Sequence, residues 1–257
     1  SITSIMLAAC GSPSNGAKPS VQKDDPVISV SGLSSGAYMA MQFHLSFSEQ
    51  VIGSGLIAGG PYFCAQGSIS MALQNCVANS DAIIDLAALA ATIDDYQASG
   101  LLADSKYNQD DKVWLLHGTL DTRINRVVAD QLAAQIDTLF VPENVEYVSQ
   151  QAFAHVMPTL DSGKPCIESV YPFIGNCNYD AAGELLKYVT QLTKPKSTKS
   201  NVQLSQQLLT FKQSEYAGEY AETLGENAYL FIPQSCKDNR SCDIPISFCH
   251  IYTSPSP

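Results

Sequence analysis

The chain has 257 residues, of which 45% are hydrophobic and 15% charged, so it has enough apolar content for the core of one generous domain or two small ones. Acidic residues outnumber basic ones by 25 to 14, which gives a formal net charge of −11, and no Lys/Arg-rich run is present to match a row of phosphates. No stretch of about 18 uninterrupted apolar residues occurs, and charges are too sparse for a disordered acidic protein. The composition therefore argues against nucleic-acid binding and predicts a soluble, acidic, globular protein.

The N-terminus resembles the end of a bacterial lipoprotein signal peptide. A short apolar run ends in Leu-Ala-Ala-Cys10, without the charged region and initiator Met of a full signal. Residues 11 to 25 are rich in Gly, Ser, Pro and Lys, as a tether would be. We therefore expect a signal remnant at residues 1 to 9, a flexible tether at residues 10 to 25, and surface anchoring to a membrane through lipidated Cys10. The alternative is a buried start of a strand.

The other seven cysteines predict an exported protein. Six of them form three local pairs near Gly/Pro/Asn-rich loops, and Cys249 has no local partner. A disulfide that closes such a loop adds about 2 to 3 kcal/mol of stability, and disulfides persist in oxidising compartments. No CxxC motif or His at ligand spacing supports the alternative, a metal site. Six cysteines allow 15 connectivities, among which we favour nearest neighbours: Cys64 with Cys76, Cys166 with Cys177, and Cys236 with Cys242.

Apolar strands alternate with helices through residue 192. The predicted elements are, in chain order, a strand at 26–30, a helix from Ala37 to about Glu49, a strand at 51–58, one or two helices within 81–98 that begin at an Asp cap, strands at 112–118 and 145–148, and a helix at 179–192. This alternation is typical of an α/β protein with a largely parallel sheet.

The last quarter of the chain has a different pattern. Residues 193 to 206 are polar and rich in Lys and Ser, which indicates a connection. Strand-like segments follow at 208–213, 228–233 and 243–248, with no helix pattern between them. We therefore expect these three strands to form an antiparallel flank of the same sheet.

A G-x-S-x-G motif, Gly32-Leu33-Ser34-Ser35-Gly36, follows the first predicted strand and opens the first helix. A nucleophile elbow requires this context, because small residues on both sides permit the sharp turn that lifts the Ser hydroxyl clear of the sheet. Ser34 is therefore the predicted nucleophile, and the backbone N–H of Ser35 is one predicted donor of an oxyanion hole. The same pattern in an ordinary loop would carry no chemistry.

A serine nucleophile needs a base, and the base needs an orienting carboxylate. Asp121 follows the third predicted strand and His155 the fourth, so strand ends would place both at the sheet edge that carries Ser34. The chain order Ser, acid, His is that of α/β-hydrolases. The alternative for Asp121 is loop capping. Other acidic residues precede the end of the third strand and fit less well, namely Asp94, Asp95, Asp110 and Asp111.

Two further histidines are assigned structural positions. His44 lies on the helix after Ser34 and precedes any suitable acid, so we interpret it as a surface or core residue. His117 lies where the third strand ends, and we interpret it as a turn residue.

Five stretches match the motifs of one known family. They are VSGLSSGAYMAMQFHLSFSEQVIGSGLIAGGPYFCAQ, HGTLDTRI, AHVMPT, the segment from Phe211 to Tyr216, and AYLFIPQSC, and the likeness covers about residues 26 to 252. They resemble the poly(3-hydroxybutyrate) depolymerases, a family of exported serine esterases. The resemblance implies one catalytic domain over residues 26 to 257 with a circularly permuted α/β-hydrolase sheet, in which the nucleophile strand comes first. Carried over position by position, the family's triad falls on Ser34, Asp121 and His155.

The C-terminus departs from the family pattern in two respects. The family's second oxyanion donor follows a His-Gly pair, and here the matching residues are Ser247, Phe248 and then Cys249, whose N–H would be the donor. The Gly matters because it lets the backbone approach the oxyanion. The family continues with a helix, a strand and a Trp-rich segment, so we expect these to be missing here, together with the usual partner of Cys249.

The resemblance implies a serine esterase that cleaves poly(3-hydroxybutyrate) or related short-chain polyester oligomers through an acyl-enzyme, without metal or organic cofactor. The same machinery would serve a feruloyl or acetylxylan ester, because fold and triad do not determine the acyl group. The alternative from another class is an envelope lipoprotein that binds without cleaving, which the altered oxyanion segment favours. The single Trp, Trp114, falls within a predicted strand, so soluble oligomers or amorphous polymer are the expected substrates.

Overall fold

A computed structural model describes residues 27–77, 84–191, 207–237 and 242–248. The strands in these ranges are β1 (Ile28–Leu33), β2 (Val51–Ile57), β3 (Lys112–Leu116), β4 (Val145–Val148), β5 (Met157–Thr159), β6 (Lys164–Pro165), β7 (Ile174–Asn176), β8 (Leu208–Lys212), β9 (Asn227–Phe231) and β10 (Ile244–Phe248). The α-helices there are α1 (Ser35–Ser46), α2 (Ile69–Asn75), α3 (Leu86–Ala98), α4 (Arg126–Leu139) and α5 (Ala181–Thr190). Short 3₁₀ helices lie at Ser105–Asn108, Pro142–Asn144, Gln213–Glu215, Gly218–Thr223 and Gln234–Cys236.

A five-stranded sheet in the order β10-β1-β2-β3-β4 forms the centre of the fold. Each neighbouring pair of its strands is parallel, which confirms the predicted α/β class. The last described strand lies beside the first, as expected where the nucleophile strand comes first in the chain. A smaller parallel sheet has the order β5-β7-β6. None of the helices in the described ranges is long and apolar enough to cross a membrane.

The predicted antiparallel flank is wrong. In the described residues, β8 and β9 pair antiparallel with each other in a separate two-stranded sheet, whereas β10 joins the central sheet parallel to β1, with Ile244 opposite Ile28. Apolar alternation identifies a strand but carries no information on its direction or partner. Residues 213–226 bring β9 straight back onto β8, whereas β10 returns from a distant part of the chain to pair with β1.

Helices α2 to α5 begin at side chains that accept hydrogen bonds from the first turn. The caps of α3, α4 and α5 are Asp85, Asn125 and Asp180, which accept the backbone N–H groups of Ala88, Val127 and Gly183 at 3.0, 2.9 and 3.0 Å. The cap of α3 is therefore an Asp, as predicted, but one inside the 81–98 segment rather than at its start. Residues 81 to 83 lie outside the described ranges.

The central sheet separates two apolar layers. Val113 and Leu115 of β3 pack in the layer that contains α1, whereas Trp114 and Leu116 pack in the layer that contains α5. Successive side chains of a strand point to opposite faces, and none of these four is more than 2% exposed. Because helices cover both faces, the strands are mostly apolar. Since the strands are parallel, their carboxyl ends lie along one edge of the sheet.

Three disulfides are present in the described ranges, and each joins cysteines that are neighbours in the sequence. They are Cys64–Cys76, Cys166–Cys177 and Cys236–Cys242. The first encloses α2, and the second encloses β7 and the loop before it. Cys10 and Cys249 lie outside the described residues, so the lipid anchor remains a prediction.

Candidate active site

Ser34 occupies the sharp turn between β1 and α1. Its backbone has a φ of 59° and a ψ of −121°, which residues other than glycine rarely adopt. Its N–H donates to the carbonyl of Ile57 at 2.8 Å, and its carbonyl accepts the N–H groups of Ala37 and Tyr38 at 2.8 and 3.1 Å. Its side chain makes no capping hydrogen bond to the helix. The turn is therefore a strained one that the neighbouring strand and helix hold in place, as in a nucleophile elbow.

Ser34 is the single residue between β1 and α1. β1 continues through Leu33, three residues further than predicted, and α1 begins at Ser35 rather than Ala37. The backbone N–H of Ser35 thus belongs to the first turn of α1, where N–H groups point toward the helix start and favour negative charge. This is where a donor to an oxyanion at Ser34 is required.

Asp121 and His155 form a buried hydrogen-bonded pair. His155 Nδ1 lies 2.8 Å from Asp121 Oδ2, and each side chain is 1% exposed. A carboxylate only accepts hydrogen bonds, so Nδ1 donates, and the lone pair that a general base needs is on Nε2. Asp121 Oδ1 also accepts the backbone N–H groups of Arg123 and Ile124 at 2.8 and 3.0 Å. Asp121 thus has both of the roles considered for it: Oδ1 caps the loop, and Oδ2 orients His155.

Backbone pairing continues beyond β3 and β4 and brings the loops of Asp121 and His155 together. The hydrogen bonds run from His117 N to Val148 O, from Thr119 N to Gln151 O, and from Leu120 N to Phe153 O, at 3.0, 2.8 and 3.0 Å. The imidazole of His117 is buried, and its Nε2 donates to the carbonyl of Ile124 at 3.0 Å. His117 therefore supports the turn that carries the acid.

The loop closed by Cys166–Cys177 packs against His155 from the other side. Ser169 Oγ accepts the backbone N–H of His155 at 2.9 Å, and the Phe173 ring meets the imidazole edge-on, with centroids 6.4 Å apart. Neither Ser169 nor Phe173 belongs to a sequence motif, so neither residue was predicted to lie at the site. We call residues 166–177 the wall loop.

A cleft of about 270 Å³ joins the nucleophile turn to the wall loop. Gly32 and Leu33, directly before Ser34, line one side, and Phe173 beside His155 lines the other. The lining is mostly apolar and also includes Ile57, Met157, Ile174 and Phe248. A reacting group in this cleft would have the end of β1 on one side and the wall beside His155 on the other.

Cys249, the other predicted oxyanion donor, lies outside the described residues. The residue before it, Phe248, lies opposite Gly32 in the β10–β1 ladder and lines the cleft. The direction of β10 thus leads the chain toward the elbow up to the last described residue.

A second Ser-His-Asp set lies in the core. His44 Nδ1 is 2.9 Å from Ser54 Oγ, and His44 Nε2 is 3.2 Å from Asp111 Oδ2. None of the three residues is more than 1% exposed, so no substrate reaches this serine. The set ties α1 to β2 and to the start of β3. His44 is a core residue, which is one of the two positions predicted for it. Its partners were not predicted, because no local pattern in the sequence connects them to His44.

Tyr38 links the start of α1 to the loop closed by Cys64–Cys76. Its hydroxyl donates to the carbonyl of Cys76. Burial raises the pKa of Tyr38, so the phenol remains a neutral donor. Gly60 makes space for the ring, since a Cβ there would lie 2.0 Å from the Tyr38 hydroxyl oxygen.

A second depression, of about 220 Å³, lies between β4 and α5. It is lined by Glu146, Glu184, Lys187, Tyr188 and Gln191, and none of these is a predicted site residue. Across the described ranges, no three His, Cys, Asp or Glu side chains converge as metal ligands would. The cleft lined by Gly32, Leu33 and Phe173 adjoins the predicted site, whereas this second depression does not.

Comparisons with known proteins agree on one family, although no family model matches the chain. The chain is 33% identical over 236 residues to a poly(3-hydroxybutyrate) depolymerase of Delftia acidovorans, a match that covers 90% of this chain and 47% of the relative. It is also 33% identical over 225 residues to a polyhydroxybutyrate depolymerase of Talaromyces funiculosus, with 86% and 63% covered. The chain thus spans about half of one relative's length and less than two thirds of the other's.

Solved structures give the same result for the fold. The crystal structure of PHB depolymerase from Penicillium funiculosum matches with a TM-score of 0.74 at 29% identity, over 86% of this chain and 69% of that one. A PHB depolymerase variant in complex with an R3HB trimer matches with the same values. On both sequence and fold, the chain belongs to the poly(3-hydroxybutyrate) depolymerase family.

Proposed function

We propose that the chain is a serine esterase that hydrolyses poly(3-hydroxybutyrate) or related short-chain polyester oligomers through an acyl-enzyme. The observation that carries this proposal is the buried Asp121–His155 pair. It contacts Phe173, which lines an apolar cleft together with Gly32 and Leu33, the residues directly before Ser34. The names of both curated relatives and the R3HB trimer bound by one solved relative support the substrate class.

In the proposed reaction, Ser34 Oγ attacks the ester carbonyl while His155 Nε2 takes its proton. Asp121 stabilises the imidazolium that forms. The N–H groups of Ser35 and Cys249 would bind the oxyanion, and such a donor is commonly worth about 3 to 4 kcal/mol. The ester C–O bond then breaks, and His155 returns the proton to the leaving alcohol. Water, activated by His155, releases the acid and restores Ser34.

The polarity of the cleft and one solved relative favour polyester oligomers. The lining is mostly apolar, which suits the apolar part of a short hydroxyacyl unit. The solved relative binds an R3HB trimer. We therefore rank soluble polyester oligomers above aromatic and sugar esters.

Export is part of the proposal, and lipidation at Cys10 would add a surface anchor. Three disulfides support export, because disulfides persist mainly outside the reducing cytosol. Labelling with radioactive palmitate in a bacterial host, compared between the parent chain fused to a complete signal and its Cys10→Ala variant, tests the anchor. Equal label in both would contradict it.

Hydrolysis rates on a panel of esters test the proposed function. The panel consists of the dimer and trimer of 3-hydroxybutyrate, nitrophenyl butyrate, methyl ferulate and acetylated xylan. We expect the highest kcat/KM among the natural esters for the trimer. A preference for ferulate or xylan would support another carboxylesterase, and trimer binding without hydrolysis by the folded chain would support a binding protein.

Gly32→Ala is expected to lower kcat/KM by about 10²-fold or more, because an error of about 1 Å in catalytic geometry costs this much. A Cβ at this position would lie 2.2 Å from the carbonyl carbon of Gly36, so α1 must shift away from β1. Gly100→Ala is the control, since a Cβ there meets nothing within 4 Å although its φ is +73°. Steady-state kinetics on nitrophenyl butyrate give the comparison, and equal activity in both variants would contradict the requirement for Gly32.

Replacing both Cys166 and Cys177 by alanine is expected to lower the free energy of unfolding by about 2 to 3 kcal/mol and kcat by more than tenfold. The second effect follows because the wall loop supports His155 through Ser169 and Phe173. The matched control replaces Cys64 and Cys76, which are 12 residues apart against 11 for the first pair. Urea denaturation and kcat are measured for both, and equal losses of kcat would contradict a specific role of the wall loop.

A further inference from the structure

Arg123 connects the turn of the acid to the wall loop. Its backbone N–H donates to Asp121 Oδ1 at 2.8 Å. Its side chain reaches the wall loop, where Nη2 donates to the carbonyl of Ser169 at 3.1 Å and the guanidinium carbon lies 5.2 Å from the centre of the Phe173 ring. The main chain of Arg123 thus contacts Asp121, and its side chain contacts the wall loop.

Ser169 and Phe173, which the Arg123 side chain contacts, also contact His155, and Phe173 lines the cleft. Ser169 Oγ accepts the backbone N–H of His155, and Phe173 contacts the imidazole and lines the cleft. Phe173 is 6% exposed and has a φ of 59°, so its backbone conformation is one that neighbouring contacts must maintain. A guanidinium over the ring supplies such a contact, because the face of the ring is negative.

We propose that Arg123 is a positioning residue that holds Phe173 as the wall of the acyl-binding cleft and thereby sets the preference for short acyl chains. The inference rests on the proposed function. Arg123 acts through Phe173 rather than by contact with the reacting atoms. Its guanidinium lies over the ring and donates to Ser169 at the same time, which the compact ammonium of a lysine does not do.

Arg126 provides a matched control three residues further on. Its guanidinium carbon lies 5.7 Å from the centre of the Tyr147 ring, and its Nη1 donates to the carbonyl of Ser149 at 2.9 Å. It also pairs with Asp130 within α4. Arg126→Met therefore removes the same kinds of contact from α4 and β4 and leaves the wall loop unchanged.

The test measures kcat and KM on nitrophenyl acetate, butyrate and octanoate for the parent chain, Arg123→Met, Arg123→Lys, Phe173→Leu and the double variant Arg123→Met/Phe173→Leu. We expect Arg123→Met to raise KM for butyrate about 5- to 10-fold with kcat changed less than about threefold, from the combined loss of the cation–ring contact and the charged hydrogen bond. The preference for butyrate over octanoate should fall. Arg123→Lys should behave like Arg123→Met, and Arg126→Met should leave KM unchanged within about twofold.

The KM of the double variant shows whether Arg123 acts through Phe173. If Arg123 acts through Phe173, the double variant has the KM of Phe173→Leu alone, because removing the ring removes the effect of the guanidinium. Additive changes in KM, full rescue by lysine, or an equal shift in Arg126→Met would each overturn the proposal. A fall in kcat at constant KM would also overturn it, since Arg123 would then act on the triad.

Binding distinguishes failure of this inference from failure of the proposed function. Calorimetry with the 3-hydroxybutyrate trimer is carried out in the Ser34→Ala background, where no hydrolysis is required. If Arg123→Met weakens trimer binding about 5- to 10-fold, the result supports the positioning of Phe173 by Arg123. This holds even for a chain that binds the trimer without cleaving it. A trimer affinity unchanged by Arg123→Met overturns the inference, whether or not the parent chain hydrolyses esters.

Discussion

Ser34→Ala is expected to lower kcat for nitrophenyl butyrate and the 3-hydroxybutyrate trimer by at least about 10⁴-fold, because the hydroxyl that forms the acyl-enzyme is removed. The variant should remain folded, since the Ser34 side chain makes no capping bond to α1. Alanine has the same difficulty as serine at a φ of 59°, so the strain of the turn is kept in both.

The control for this variant is Ser99→Ala, at the exposed end of α3. It should keep the activity of the parent chain. Steady-state rates and circular dichroism spectra are compared for the three proteins. Hydrolysis by Ser34→Ala within tenfold of the parent rate would show that another residue is the nucleophile and would exclude the elbow as the source of activity.

Asp111→Ala is expected to lower the free energy of unfolding by about 3 to 5 kcal/mol, which is a large part of the roughly 5 to 15 kcal/mol of an ordinary domain. Asp111 is 1% exposed and its carboxylate lies 3.2 Å from Nε2 of His44, which is fully buried. The substitution leaves that nitrogen without its carboxylate partner in the core, where solvent does not replace the lost bond.

Asp110→Ala is the matched control, because it removes an exposed carboxylate one position earlier. Its effect should stay within about 0.5 kcal/mol. Urea denaturation is followed by the fluorescence of Trp114, the single tryptophan, which lies in the core on β3. Below the transition, Asp111→Ala should retain the kcat of the parent chain, whereas Asp121→Ala should lose kcat. A large loss of kcat with unchanged stability in Asp111→Ala would make Asp111 the catalytic acid instead.

Local patterns were sufficient to predict the elements that carry Ser34, Asp121 and His155. A G-x-S-x-G motif between a strand and a helix is a short-range signal, and Asp121 and His155 directly follow apolar strands. Parallel strands bring their carboxyl ends to one edge, so chain order alone predicts that these residues share an edge. The structure brings Asp121 and His155 into hydrogen-bond contact there.

Contacts between distant loops could not be predicted from the same patterns. The direction of β10 depends on a partner far away in the chain, and the apolar alternation of Ile244–Phe248 is the same for either direction. Ser169 and Phe173 reach His155 because a disulfide closes the wall loop, not because of their spacing from it. Likewise, Ser54 and Asp111 meet His44 only when α1 packs on the sheet.

Covalent labelling tests most directly whether Ser34 is the nucleophile of a working triad. The folded chain is incubated with an organofluorophosphonate, and the modified peptide is identified by mass spectrometry. We expect one label per chain, on Ser34, with no label in Ser34→Ala and strongly slowed labelling in His155→Ala, because the reagent reacts with a serine that a base has activated. A label on Ser35 or Ser54, or no label in a folded chain, would contradict the proposed catalytic role of Ser34.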